Sequence, residues 1–213
     1  MRPITCLPIL FICFAFTFSS CQQSQRPTDS TEQENTEVRS ELNNDIFKVP
    51  YTYWWDKAGP FIGLCGSKYS FVFLGEVKSL GNIIQDSASL YTSQKGQITI
   101  ETILHTQKQE KKSYEGQGIF ESDCFFGSDF RIGDLVMVFC YEYEGEVSIP
   151  GKRSIVKLKS KNDPLIESIK TYIAGDQQAI LLKNDMALWE AAGYGDDLGQ
   201  IIDCAEMTME EKN

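Results

Sequence analysis

SFVFLGEV, residues 70–77, is the stretch on which the reading of the whole chain turns. Phe71, Val72, Phe73 and Leu74 follow one another with no polar residue to mark a solvent face. The run therefore reads as a β-strand buried on both faces. Gly75 inside it predicts a bulge or strong bend, as needed where a strand serves a tightly curled sheet. LVMVFCYEY, residues 135–143, is a second strand of the same kind. Leu135, Met137, Phe139 and Tyr141 fall on one face, and Val136, Val138 and Cys140 on the other.

Between these two runs the pattern is more polar. Ile98–Leu104 alternates, with Ile98, Ile100, Thr102 and Leu104 on one face and Thr99, Glu101, Ile103 and His105 on the other. This predicts a half-exposed strand. Gly81–Gly96 reads as a long polar excursion with a helical turn, and 105–118 as a charged connection before Ile119-Phe120 returns to the sheet. SIVKL at 154–158 is a further strand. After Ser160 the period changes to a helical one. Asp163-Pro164 supplies a cap and a first-turn proline, Leu165, Ile166, Ile169 and Ile173 recur at helical spacing, and Gly175 stops the helix. Asp185 is placed to cap a second helix over Met186–Ala192, ended by Gly193. The fold class expected is mainly β (α+β), a curled sheet with one or two C-terminal flanking helices.

The amino end has a different character. Arg2, an apolar run over Ile4–Phe18 and the small residues Ser19 and Ser20 make a secretory signal. A cysteine directly after them, Cys21, is where a bacterial lipoprotein is acylated and cut, although Phe18 stands where that signal usually has Leu. Residues 1–20 are thus expected to be a signal peptide, taking Cys6 and Cys13 with them. A plain secretory signal is the alternative. A retained span fits poorly, because the run contains Pro8 and only just approaches the ~20 residues a membrane crossing needs.

Residues 22–44, after Cys21, hold almost no large apolar side chain and read as a disordered acidic linker. As a flexible chain it reaches ~27 Å. Residues 45–213 form a single globular domain. Loss of the signal removes one Arg and no acid from a chain of net charge −10, leaving −11. Such a charge disfavours nucleic acid and anionic headgroups. Membrane attachment then rests on the lipid of Cys21. Gln22 is not the aspartate that retains some lipoproteins at an inner membrane, which points to an outer membrane and its periplasmic face.

Four cysteines remain in the domain: Cys65, Cys124, Cys140 and Cys204. In an exported chain an even count reads as two disulfides with three connectivities open. Their spacing is not that of a zinc site, and the only histidine is His105. Asp196, Asp197 and Asp203 lack the alternate-oxygen spacing of a calcium loop and read as a solvated acidic face. No metal and no cofactor is expected. The aromatic-rich YTYWWDKAGPFIGL at 51–64 offers Trp54 and Trp55 as a sugar-stacking platform, or more plainly as a cap on a small core. With Tyr141 and Tyr143 these rings mark where a binding surface is sought.

A cysteine (Cys65) before VFLGEV, an alternating strand, then Cys124-Phe125-Phe126 and Gly133-Asp134 leading into LVMVF together resemble the netrin/tissue-inhibitor-of-metalloproteinase type of domain. The resemblance covers about residues 65–140. It implies an OB-like five-stranded barrel, and a Cys65–Cys124 disulfide that leaves Cys140 to pair with Cys204. Inhibitors of that family chelate the protease zinc through a Cys-x-Cys at a free amino terminus. Here Leu64-Cys65-Gly66 lies deep in the chain and a lipid would block Cys21, so at most the fold carries over.

The function expected is a membrane-anchored, non-enzymatic binding module of the cell envelope, its partner a protein or glycan. The alternative is an envelope hydrolase using paired carboxylates, Glu101 with Glu121 or Asp123.

Overall fold

The computed structural model describes residues 46–51, 59–85, 92–107 and 118–210. The strands are β1 (Ile46–Lys48), β2 (Tyr69–Gln85), β3 (Thr92–Thr106), β4 (Ile119–Ser122), β5 (Leu135–Tyr143), β6 (Glu146–Ser148) and β7 (Ile155–Lys157). Helices α1 (Pro164–Ala174), α2 (Met186–Ala191) and α3 (Gly195–Glu210) follow, with a 3₁₀ turn over Ala179–Asp185 before α2.

The strands make one mixed sheet in the order β1-β4-β3-β2-β5-β6, with β7 also pairing β5. Within it, β5-β2-β3-β4 is a Greek key: three successive antiparallel strands, and a fourth that returns beside the first. β1 joins β4 in parallel. The two ends of the path meet, because Tyr51 bridges Ile149 and the Ile149 amide donates to the Pro50 carbonyl at 3.1 Å.

β2 is buried on both faces because it divides two cores. Phe71, Phe73 and Val77 pack on the concave side with Ile98, Ile100, Phe120, Val136, Val138 and Cys140. Tyr69 and Val72 pack on the convex side with Met137, Phe139 and Tyr141, against Ile166, Ile169, Trp189 and Ile201 of the helices. β5 divides its side chains between the same two cores, as its alternation predicts.

β3 departs from the simple alternation. Its pairing with β2 jumps from Ile103 to His105 opposite Phe73 and Val72, and from Thr102 to Ile100 opposite Leu74 and Gly75. Leu104 and Glu101 are therefore the extra residues of two bulges. Their effect is to turn Ile98, Ile100 and Ile103 all inward and to leave Thr102 exposed. Gly75 is the other half of the second irregularity: a β-carbon there would lie 2.1 Å from the Thr99 carbonyl oxygen.

Where a polar excursion was expected at Gly81–Gly96, β2 instead runs on to Gln85 and β3 begins at Thr92. This two-stranded arm faces solvent along Gly81–Gln85, so it needs no apolar alternation and shows none.

The cysteine pairing differs from the one the family resemblance implies. Cys65 bonds Cys204, with Cα atoms 5.0 Å apart, while Cys124 and Cys140 are free and buried. The sheet itself is the reason. Cys65 lies in the turn at Gly63–Gly66, whose Gly66 approaches Ile201 and Tyr172 on the helical side. Cys124 and Cys140 belong to the concave core. Neither Cys65–Cys124 nor Cys140–Cys204 can form with strands in between.

The helices begin as read. Asp163 Oδ1 accepts from the Leu165 amide at 3.1 Å and Oδ2 from the Lys159 amide at 2.8 Å, with Pro164 in the first turn. Asp185 does not cap α2 through its side chain. A third helix, α3, holds the acidic Asp196, Asp197 and Asp203, and buries Leu198, Ile201 and Ile202 beneath them.

Candidate functional site

The site lies where β1 and β6 part. These two strands run parallel and touch at Tyr51 and Ile149, and on the amino-terminal side of that bridge they separate. The opening is a cleft of about 440 Å³. Its β1 lip is Phe47, Lys48 and Pro50, its opposite lip Glu142 with Gly145, Glu146 and Val147, and Ser70, Phe71, Thr106 and Gln107 complete the wall. The volume falls within the ~300–1,000 Å³ of small-ligand sites.

Each part follows from local chemistry. The β5–β6 hairpin turns on Glu144 and Gly145, at φ 52° and 82°, with Tyr143 paired to Glu146. Two successive positive φ values make the tight turn that matches strand twist. Glu142 shares one face of the hairpin with Val147, and Glu146 shares the other with Tyr143. Phe47 meets Phe71 edge-to-face, ring centres 5.5 Å apart, which gives the cleft an aromatic floor. Ser70 is 4% exposed, and its hydroxyl has no hydrogen-bond partner among the described residues. A buried unsatisfied hydroxyl costs roughly 1–3 kcal/mol.

Lys48 borders the cleft on the β1 side, and Glu142 and Glu146 border it on the hairpin side. Among the described residues Lys48, Glu142 and Glu146 make no ion pair.

Next to this site, His105 ties strands together. Its Nε2 lies 3.0 Å from the Tyr69 carbonyl, to which Gln107 Nε2 also donates at 3.2 Å. The Tyr69 amide in turn donates to Gln177 Oε1 at 2.6 Å. With a carbonyl as its partner, Nε2 must carry the hydrogen. Burial lowers the His105 pKa below its ordinary value, opposed by the bond to Tyr69. Sequence reading places His105 on the more polar face of its strand; here it is a half-buried strut.

Of the four aromatic residues among which a surface is sought, the structure describes Tyr141 and Tyr143. Tyr141 is buried, and its hydroxyl donates to the Pro60 carbonyl at 2.5 Å, beside the same bond from Tyr69 at 2.8 Å. The alternation that puts Tyr141 in line with Met137 and Phe139 points it at the helices. Tyr143 is half-buried at the end of β5. Trp54 and Trp55, like Cys21, lie outside the described residues.

The paired carboxylates are likewise apart. Glu121 stands opposite Gln97, four residues from Glu101, which separates them by about 13 Å along the strand. Asp123 lies further along, its carbonyl bound by the Gln94 amide. Glu101 is held by Lys161 at 2.9 Å, and Glu121 accepts from Gln97 at 2.7 Å. Asp197 is paired with Arg153 at 3.1 Å. Among the described residues no three His, Cys, Asp or Glu side chains come together as a metal site.

The cleft itself gives no signal in the sequence, since its residues come from four separated segments. The nearest hint is the run of alternate glutamates in YEYEGEV, residues 141–147. No protein-family model matches this chain, nor does any curated protein or solved structure.

Proposed function

We propose that this chain is a lipid-anchored, non-enzymatic binding module of the bacterial cell envelope, with the β1–β6 cleft as its ligand site. The amino-terminal pattern ending Ser19-Ser20-Cys21 supports the anchor. The acidic linker at 22–44 supports a tether that holds the domain near a membrane without pressing it there. The Greek-key order, with β7 added on the far side of β5, supports an OB-like barrel. β1 and β6 then occupy the gap such a barrel leaves open.

The observation that carries the reading is the cleft: a ligand-sized opening with an aromatic floor and an unsatisfied buried hydroxyl in its wall. Protein interiors rarely leave such groups unserved without a purpose.

The test has two parts. The intact mass of protein purified from membranes should show a diacyl or triacyl Cys21 as the first residue. A low-molecular-weight fraction of the envelope should raise the Tm of the wild-type protein and leave that of Val147→Trp, which fills the cleft, unmoved. Equal shifts, or none, would remove the cleft as the site.

A further inference from the structure

We propose that the β2–β3 arm is a membrane-docking element, which seats its end of the domain on a phospholipid surface. The inference rests on the lipid anchor proposed above.

The arm is the part of β2 and β3 beyond Leu80 and Gly96, where Ile83 pairs with Gln94 and Ile84 with Ser93. Ile83 and Ile84 are each 59% exposed. Successive residues of a strand point to opposite faces, so the arm shows an exposed isoleucine on each side. A flat protein surface covers one of them and leaves the other in water. The interfacial layer of a bilayer surrounds an inserted element and takes both. Two more exposed apolar side chains flank the arm. The Phe125 amide donates to the Gln94 carbonyl at 3.1 Å, which holds the loop carrying the exposed Phe126 against β3. The Gly133 amide donates to the Val77 carbonyl at 2.9 Å, which holds the turn carrying the exposed Ile132 against β2. Apolar surface gathered at one end of a domain marks an interaction site.

Charge permits the contact here. From Val77 to Ile100 the sequence holds one acid, Asp86, against Lys78 and Lys95, in a chain whose net charge is −10. Lys95 lies 3.7 Å from Glu121, and Lys78 is exposed at the arm's root. The repulsion of the whole chain from anionic headgroups is therefore not carried by this segment.

The tether also reaches. The chain enters the sheet at Ile46, level with Ile119 and, through it, with Thr99. From Thr99 back to Ser93, the partner of Ile84, is about 20 Å along the strand. Residues 22–44 span ~27 Å as a flexible chain, so acyl chains on Cys21 and the arm can share one membrane surface. Ser70 and Thr106, which line the cleft, lie at the opposite ends of the same two strands. A domain seated by its arm turns the cleft toward the aqueous side.

The test uses full-length acylated protein reconstituted into vesicles of phosphatidylethanolamine and phosphatidylglycerol. Ile83→Cys, Ile84→Cys and Met207→Cys are each labelled with a nitrobenzoxadiazole dye. Met207 is the control, exposed on α3, and the buried Cys124 and Cys140 stay unlabelled. All three positions are exposed, so the variants should melt as the wild type does. With bromine on the upper acyl chain of the lipid, emission at positions 83 and 84 should fall about twofold or more, as for an element seated ~5–10 Å deep, while emission at 207 holds.

Quenching at only one isoleucine position would mean a flat partner, and emission that follows the protein-to-lipid ratio instead of the bromine would mean a second copy of the chain. Either overturns the proposal, as does equal quenching at all three positions. No quenching in protein that still floats with the vesicles removes the arm and leaves the anchor. Protein that does not float removes the anchor, and the proposal with it.

Discussion

Gly75 passes so close to Thr99 that any β-carbon at position 75 would lie 2.1 Å from the Thr99 carbonyl oxygen. The Ile98 side chain is the next obstacle, at 2.8 Å. The oxygen belongs to a paired strand and cannot move without opening the sheet there. Gly75→Ala should therefore destabilise the domain by about 3 kcal/mol or more, at or beyond the upper end of ordinary overpacking. Chemical denaturation measures it. A loss near the usual ~1 kcal/mol of a point mutant would mean the strands are not this close.

The Cys65–Cys204 bridge closes 139 residues, and in the chain-entropy model such a loop contributes about 5 kcal/mol. Reductant, or Cys204→Ser, should lower Tm by roughly 10–20 °C. Non-reducing peptide mapping should find Cys65 linked to Cys204. Cys124 should be alkylated only after unfolding, since burial pushes its thiol up to about 12, and Cys140, raised well above its ordinary value by burial, should behave alike. A linked Cys65–Cys124 peptide would refute the topology of the two cores.

How legible these features were in the sequence depends on the physics behind each. β5 could be read face by face because no bulge interrupts it, so Val138 and Phe139 enter the cores that alternation assigns them. β3 could not, because Glu101 and Leu104 are inserted residues, and the shift exists only against β2. α3 was obscured by its acids, although Leu198, Ile201, Ile202 and Ala205 keep helical spacing beneath them. The cysteine pairing depends on which side of a sheet each thiol occupies, which a count of cysteines does not contain. The cleft required β1 and β6, each three residues long, to be placed side by side.

His105 makes stability depend on pH. Burial lowers its folded pKa below the ordinary 6.5, so the unfolded chain binds more protons wherever the two states differ. Stability therefore rises with pH across that window. The contribution is fully present above about pH 6.5 and is lost as pH falls below it. Urea midpoints should drop between pH 7.5 and 5.5, and His105→Gln should flatten the drop, since this is the chain's one histidine. An identical slope in the variant would mean that His105 is as solvated folded as unfolded.

Glu144 holds a left-handed conformation, φ 52°, in the turn at the hairpin edge of the cleft. A side chain with a β-carbon is strained there by about 1–2 kcal/mol, and the following Gly145, at φ 82°, is not. Glu144→Gly removes that strain but adds freedom to the unfolded chain, so the net gain should be about 0.5–1 kcal/mol. Glu144 does not line the cleft, whereas Glu142 and Glu146 do. The Tm rise given by the envelope fraction should then be kept in Glu144→Gly, while its stability without ligand increases. Urea midpoints and ligand-induced Tm shifts, measured side by side, separate the turn that builds this edge of the cleft from the cleft itself.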